Sequence, residues 1–308
     1  MTGVAPVAPA DLATEWFVER LRCPDCGGSL ARGSFDALGC RACVRVFPIT
    51  NGQIRCFVSP SVSATLRVPV LQSNPVWPAR RSPPASYRGP VTPRTNPRLL
   101  SILAERGGLL DVLDWGCGTA EYRPLITRVL GHRYVGVDSE GAGADVLTDV
   151  HALPFRDDSF DHVITSAVLE HVANPFLAVR EVARVLRRDG IFSGSVAFME
   201  PYHHRSYFHF SPDAVVHVLG TAGLRLEGMW PQEGWTVFES LAWMPGPVSG
   251  PTRLLLRWLG RLEKLVRVRH LHPREVRAHR WLRRRTPDEL ADELLTLTGQ
   301  VDFVARKV

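Results

Sequence analysis

Residues 109–122 read LLDVLDWGCGTAEY, residues 133–138 read RYVGVD, and residues 145–172 read DVLTDVHALPFRDDSFDHVITSAVLEHV. The first piece is a short apolar run that ends in Asp114 and passes at once into Gly116 and Gly118. Glycines at a strand-to-helix turn let the backbone approach a ligand without a Cβ in the way. The second piece is another apolar run ending in an acid, Asp138. Ligands of open α/β sheets bind at the carboxyl ends of the strands, where such an acid can accept hydrogen bonds from sugar hydroxyls. Alternating strands and helical patterns from about residue 97 predict an α/β fold with a mostly parallel, doubly wound sheet.

Gly-x-Gly alone is weak evidence, but Asp114-x-Gly116-x-Gly118, Asp138 and Asp149-x-x-x-Leu153-Pro154-Phe155 together are specific. The set resembles the Rossmann-like S-adenosylmethionine-dependent methyltransferases over roughly residues 95–230. The resemblance implies that Asp114, Gly116, Cys117 and Gly118 form the cofactor loop. It also implies that Asp138 holds the ribose, and Asp149 the adenine amino group, with Val150 beside the ring. Asp157, Ser159, Phe160 and Asp161 complete the family's approach to its fourth strand. Two departures stand out: Ala120 takes the place of a third loop glycine, and only residues 139–144 separate strand two from a third strand near Val146. Parallel crossovers usually take about ten or more residues. The usual helix is therefore expected to be a loop, or strand three displaced, opening the adenine side of the cleft.

Outward toward the N-terminus, residues 11–22 predict a short lead-in helix with Trp16, Phe17 and Leu21 on one face. Cys23, Cys26, Cys40 and Cys43 then form a Cys-x2-Cys…Cys-x2-Cys set. Two such turns can close a tetrahedral four-sulfur zinc site, and four protein ligands leave no open position for catalysis. The expectation is a structural zinc ion. The segment through Asn51-Gly52 resembles the small zinc-ribbon activator of tRNA and protein methyltransferases. Cys56 reads as a small buried apolar residue. The chain is thus divided into a ribbon with its lead-in helix (1–58), a Pro/Ser/Arg-rich linker (59–96) and a methyltransferase domain (97–308). Tyr87, late in the linker, reads either as a cofactor lid or as ordinary packing.

Toward the C-terminus, a helix is expected from Asn174-Pro175 to Arg188, then a strand over 191–198. A helix from Ser211-Pro212, a strand over 224–230 and an antiparallel last strand, QVDFVARKV, follow. A long helical insertion, 231–299, lies between those last two strands. Within it Leu255, Trp258, Leu259, Leu262 and Val266 share one helical face, with Arg253, Arg257, Arg261 and Lys264 on the other. The stretch 252–285 reads as a cover over the substrate mouth, apolar face inward, or as a docking surface for RNA or an anionic membrane.

Methyl transfer from a sulfonium is an in-line displacement that needs alignment and, for a hydroxyl or protonated amine, removal of a proton. Candidate bases are His204 first, then His203, both in PYHHRSYFHF (201–210), and His171 after strand four. A three-histidine metal site in that loop lacks an evident carboxylate. The expected acceptor is a small molecule or a carrier-linked glycan or lipid, with an RNA base as the alternative. The RNA enzymes with an N-terminal finger use a second Cys-x3-His pair, and no histidine follows Cys40 and Cys43 here. At 308 residues with net charge +6, the chain has six cysteines, too few and too unevenly spaced to suggest a disulfide scaffold. No signal-peptide pattern opens the chain, and the cytoplasm is the expected compartment.

Overall fold

The computed structural model describes residues 16–34, 36–59, 62, 84, 87–92, 95–203, 205–233, 235–243, 250–271 and 298–308. Most of the 59–96 linker, the stretch 272–297 and His204 lie outside the described residues.

Four short strands come first: β1 (Leu30–Ser34), β2 (Ala37–Cys40), β3 (Val46–Thr50) and β4 (Gln53–Arg55). They form antiparallel hairpins, β1 with β2, β2 with β3, and β3 with β4. After α1 (Pro97–Ala104) come β5 (Asp111–Trp115), β6 (Arg133–Asp138), β7 (Val146–Leu147) and β8 (Phe160–Ser166). The chain continues with α2 (Pro175–Val185), β9 (Leu186–Ala197), α3 (Pro212–Thr221) and β10 (Leu224–Pro231). Two helices, α4 (Val237–Trp243) and α5 (Gly250–Leu271), precede β11 (Gln300–Lys307). The strands lie in the order β1-β2-β3-β4-β7-β6-β5-β8-β9-β11-β10. From β7 to β9 the pairs are parallel, and β11 inserts antiparallel between β9 and β10. This is the Rossmann-like methyltransferase order, with the helical insertion before the last strand.

The parallel strands bury nearly every side chain, as strands covered on both faces must. One apolar cluster gathers Leu113, Trp115, Phe160, Phe192 and Phe303; another gathers Leu99, Leu103, Val112, Ile126 and Ile164. Three helix starts carry their own caps. Asn96 accepts from Arg98 N–H, Asn174 from Leu177 N–H and Ser211 from Ala214 N–H, and each is followed by proline. Tyr87 packs against the α1 cluster.

The short crossover is resolved in a way that spacing alone does not suggest. Strand β7 is only two residues long and pairs with the last two residues of β6, Val137 with Val146 and Asp138 with Leu147. The chain therefore turns at the carboxyl edge of the sheet and never travels back along it, so no helix is needed. The far edge of β7 is taken by β4, which pairs parallel through Ile54–Val146 and Arg55–Leu147. The cysteine-bearing hairpins thus continue the main sheet.

Several expectations are corrected. Residues 11–15 of the expected lead-in helix lie outside the described residues, and its remainder holds a 3-10 turn, Val18–Arg20. Leu21 then bridges Phe155, and Trp16 is stacked by the Arg20 and Arg133 guanidiniums at 4.5 and 4.7 Å. After the glycine turn the chain forms a π-helical turn, Leu125–Val129, and Ala120, with φ 58°, lies before it in the left-handed region. The helix expected to reach Arg188 stops at Val185. Arg187 is drawn away to Asp111 (2.8 Å) and Asp161 (2.6 Å), and β9 starts at Leu186. On α5, Leu255 and Trp258 of the face expected inward are 54% and 55% exposed, Leu259 is half-buried, and the side chain of Val266 lies outside the described residues. Among the described residues, no helix is long and apolar enough to cross a membrane.

Candidate cofactor cleft and cysteine site

A cleft of about 510 Å³ opens at the carboxyl ends of the parallel strands. Its floor is the turn after β5. Gly116 has φ 75°, and a Cβ there would lie 2.4 Å from Val168 Cγ2, so only glycine fits. Gly118 N–H donates to Asp138 Oδ2 at 2.8 Å, while Glu140 and Gly141 N–H donate to Asp138 Oδ1 at 3.1 and 3.0 Å. The single carboxylate at the end of β6 therefore fastens both the glycine turn and the short crossover. Gly116, Asp138, Asp149 and Val150 all line the cleft.

Asp114 and Cys117 do not line it. Asp114 is buried beneath the turn, accepts from Tyr134 Oη at 2.6 Å, and is pushed up to about 7 by that burial. Cys117 packs with Ala144 and Leu147, and burial raises its thiol far out of the reactive range. Gly118 contributes its backbone N–H to Asp138 and is not itself a lining residue.

Asp149 is oriented by a relay. His151 Nδ1 lies 2.7 Å from Asp149 Oδ1, and His151 Nε2 accepts from Asn174 N–H at 3.1 Å. Because Nε2 accepts, Nδ1 carries the hydrogen and donates to the carboxylate. That hydrogen bond from His151 holds the Asp149 carboxyl below the usual range, although burial opposes it.

Sequence reasoning missed the opposite wall. Phe57, two residues beyond β4, lines the cleft and packs with Cys117, Ala144 and Leu147. It stands on the side where the missing crossover helix was expected to leave an opening. The Ser166–Val168 turn was missed as well, whereas Tyr207, an aromatic of the histidine loop, lines the cleft. A phenylalanine just past the last ribbon strand carries no motif, and only the β4–β7 pairing brings it there.

Of the candidate bases, His171 lines the cleft. His203 is not among the lining residues; its ring meets that of His171 edge-on at a centroid distance of 5.2 Å. His204 lies outside the described residues.

The four expected cysteines converge. Cys23 Sγ lies 3.8 Å from Cys43 Sγ, Cys26 Sγ lies 3.5 Å from Cys40 Sγ, and all four sulfurs fall within 4.8 Å of one another. No pair is bonded as a disulfide. Zinc–sulfur bonds of about 2.3 Å in a tetrahedron put sulfurs about 3.8 Å apart, so the donor set fits zinc. Ala42 N–H donates to Cys40 Sγ at 3.3 Å, and a Cβ on Gly28 would lie 2.6 Å from Ala42 Cβ. Arg45 ties the knuckle to the cleft wall, pairing with Asp25 at 3.0 Å and donating to Phe57 O at 2.7 Å.

Residues 113–193 match the protein family described as a methyltransferase domain. The chain carries an S-adenosylmethionine-dependent methyltransferase domain. An uncharacterized methyltransferase of Mycolicibacterium vanbaalenii is 36% identical over 104 residues, covering 30% of this chain and 40% of that protein. A probable tRNA methyltransferase 9B of Mus musculus is 33% identical over 130 residues, covering 39% and 29%. A demethylmenaquinone methyltransferase of Mycobacterium bovis is 40% identical over 87 residues, covering 26% and 37%. The chain spans well under half the length of each of these relatives. The matched methyltransferase segment contains the glycine turn, Asp138, Asp149 and the Glu170-His171 pair.

Proposed function

We propose that the protein transfers the methyl group of S-adenosylmethionine to a hydroxyl or amine of a small-molecule, glycan or lipid-linked acceptor. The observation that carries this is the convergence of Gly116, Asp138 and Asp149 on one cleft at the carboxyl edge of β5, β6 and β7. In this reading Asp138 takes the ribose hydroxyls, Asp149 the adenine amino group through Oδ2, and Phe57 and Val150 flank the ring. Asp114 and Cys117 act from beneath, keeping the turn in shape. His204 is the proposed base, with His171 at the cleft wall and His203 behind it. Cys23, Cys26, Cys40 and Cys43 hold a structural zinc ion in this proposal.

Replacing Asp138 by Ala removes charge-assisted hydrogen bonds, each contributing roughly 1.5–3 kcal/mol. Calorimetry with S-adenosylhomocysteine is expected to show at least a tenfold loss of affinity. Unchanged affinity overturns the assignment of the cleft. Radiolabelled methyl transfer into fractionated small-molecule, lipid and RNA extracts then identifies the acceptor class.

One observation favours a second reading, an RNA base as acceptor. The described part of α5 presents Arg257 and Arg261 with exposed Leu254, Leu255 and Trp258. Basic and aromatic groups on one element suit an anionic polymer as well as an anionic lipid surface. Label entering RNA, with none in lipid or small-molecule fractions, would establish that alternative.

A further inference from the structure

A second group of metal-binding side chains lies at the wall of the cleft, and the four-cysteine site has no part in it. Glu170, His171 and His203 each offer a ligand atom, and these atoms fall within 4.8 Å of one another. Chain geometry brings them together. Glu170 O accepts from Tyr207 N–H at 2.6 Å and Phe208 N–H at 3.2 Å, which folds the 199–210 loop back over the turn after β8. Residues remote in sequence are thereby held face to face.

Two features point to a cation. Glu170 is fully buried; its Oε1 accepts from Ala197 N–H at 3.3 Å, while Oε2 has no hydrogen-bond partner among the described residues. A buried carboxylate oxygen with nothing to accept costs free energy unless a proton or a cation meets it. Independently, His203 Nδ1 lies 3.0 Å from Pro201 O. A carbonyl only accepts, so Nδ1 carries the hydrogen and Nε2 keeps its lone pair. Metal-ligating histidines characteristically donate the other ring N–H to a backbone carbonyl in this way. Glu200 adds negative charge at the same place, its Oε2 lying 3.7 Å from His203 Nε2.

We propose that Glu170, His171 and His203 bind one divalent first-row transition-metal cation. Two imidazoles and one carboxylate suit zinc, cobalt, iron or manganese better than magnesium, which prefers an all-oxygen shell. Three protein ligands leave coordination positions open, and His171 lines the cleft. The open positions suit an oxygen or nitrogen of the acceptor; this last step rests on the methyltransferase reading, whereas cation binding does not. Burial pushes the Glu170 carboxyl up to about 8.

The test is a titration of the zinc-loaded full chain with cobalt(II) chloride, followed by equilibrium dialysis and absorption spectroscopy. One further equivalent should bind, with d–d bands and no thiolate-to-cobalt charge transfer, which would mark exchange into the cysteines. Glu170→Gln and His203→Gln should each lower cobalt affinity at least tenfold. Thermal melting and S-adenosylhomocysteine calorimetry check the fold of each variant. No cobalt beyond the zinc equivalent on the wild-type protein overturns the site, whether or not the variants fold. Equal cobalt affinity in folded variants overturns it too. Cobalt binding without any S-adenosylhomocysteine binding would instead leave the metal site standing and remove the methyltransferase reading.

Discussion

Gln53 is the residue through which the cysteine ribbon should govern cofactor affinity. Its Nε2 donates to Gly141 O at 3.0 Å and to Ala144 O at 2.9 Å. Both acceptors belong to the crossover whose Glu140 and Gly141 amides hold Asp138. Gln53→Ala removes two partly buried hydrogen bonds, each contributing about 1 kcal/mol net. The freed carbonyls can reach water, so no large unsatisfied penalty is added. Ordering the crossover again when ligand binds then costs up to about 2 kcal/mol, which is roughly a thirtyfold loss of affinity. Calorimetry with S-adenosylhomocysteine on wild-type and Gln53→Ala protein measures it, with circular dichroism confirming the fold. If the crossover helps order the ribose site, affinity falls between threefold and thirtyfold. A folded Gln53→Ala protein with wild-type affinity would refute the claim that the ribbon supports the cleft.

Metal analysis of the full chain should give about one zinc equivalent at the four cysteines, apart from metal held by Glu170, His171 and His203. Cys23→Ser should lose it and, because β4 is a strand of the main sheet, should also weaken S-adenosylhomocysteine binding, as paired calorimetry would show. His204→Ala should lower turnover about a hundredfold or more while leaving cofactor affinity near wild type, measured by steady-state kinetics on the identified acceptor. His162 is fully buried beside Ser193, and burial depresses it from 6.5 to about 3. The folded state resists the proton that the unfolded chain accepts. Its contribution is complete above pH 6.5 and is lost as pH falls from 6.5 toward 3. By pH 5 that loss is about 2 kcal/mol at 1.36 kcal/mol per unit. Urea unfolding of His162→Gln at pH 7 and pH 5 should show correspondingly less acid destabilisation than wild type.

The parts of the fold legible in the sequence were those that local chemistry dictates. Apolar runs ending in Asp114 and Asp138, the glycine turn and the Asn-Pro and Ser-Pro helix starts all appear where spacing placed them. What escaped was decided at long range. Helix α2 ends at Val185 because Arg187 finds Asp111 and Asp161, and Asp161 is twenty-six positions away in the chain. The buried carboxylate that meets the histidine loop is Glu170, more than thirty positions before His203 and brought there by backbone hydrogen bonds from Tyr207 and Phe208. No local pattern contains either fact.

The same distinction explains why the ribbon and the short crossover belong together. A two-residue β7 would leave an apolar, hydrogen-bond-hungry edge exposed, a standing invitation to pair with another chain. Strand β4 occupies that edge, Cys56 N–H continues the ladder to Leu147 O at 2.7 Å, and Thr148 Oγ1 donates to Cys56 O at 2.9 Å. Next to this ladder Phe57 fills the wall that a crossover helix would supply elsewhere. Each half answers a defect in the other: the hairpins are too small to hold an apolar core of their own, and the sheet lacks an edge strand and a cleft wall. Sequence spacing showed the missing helix and the four cysteines separately. Their complementarity is a property of the sheet they share.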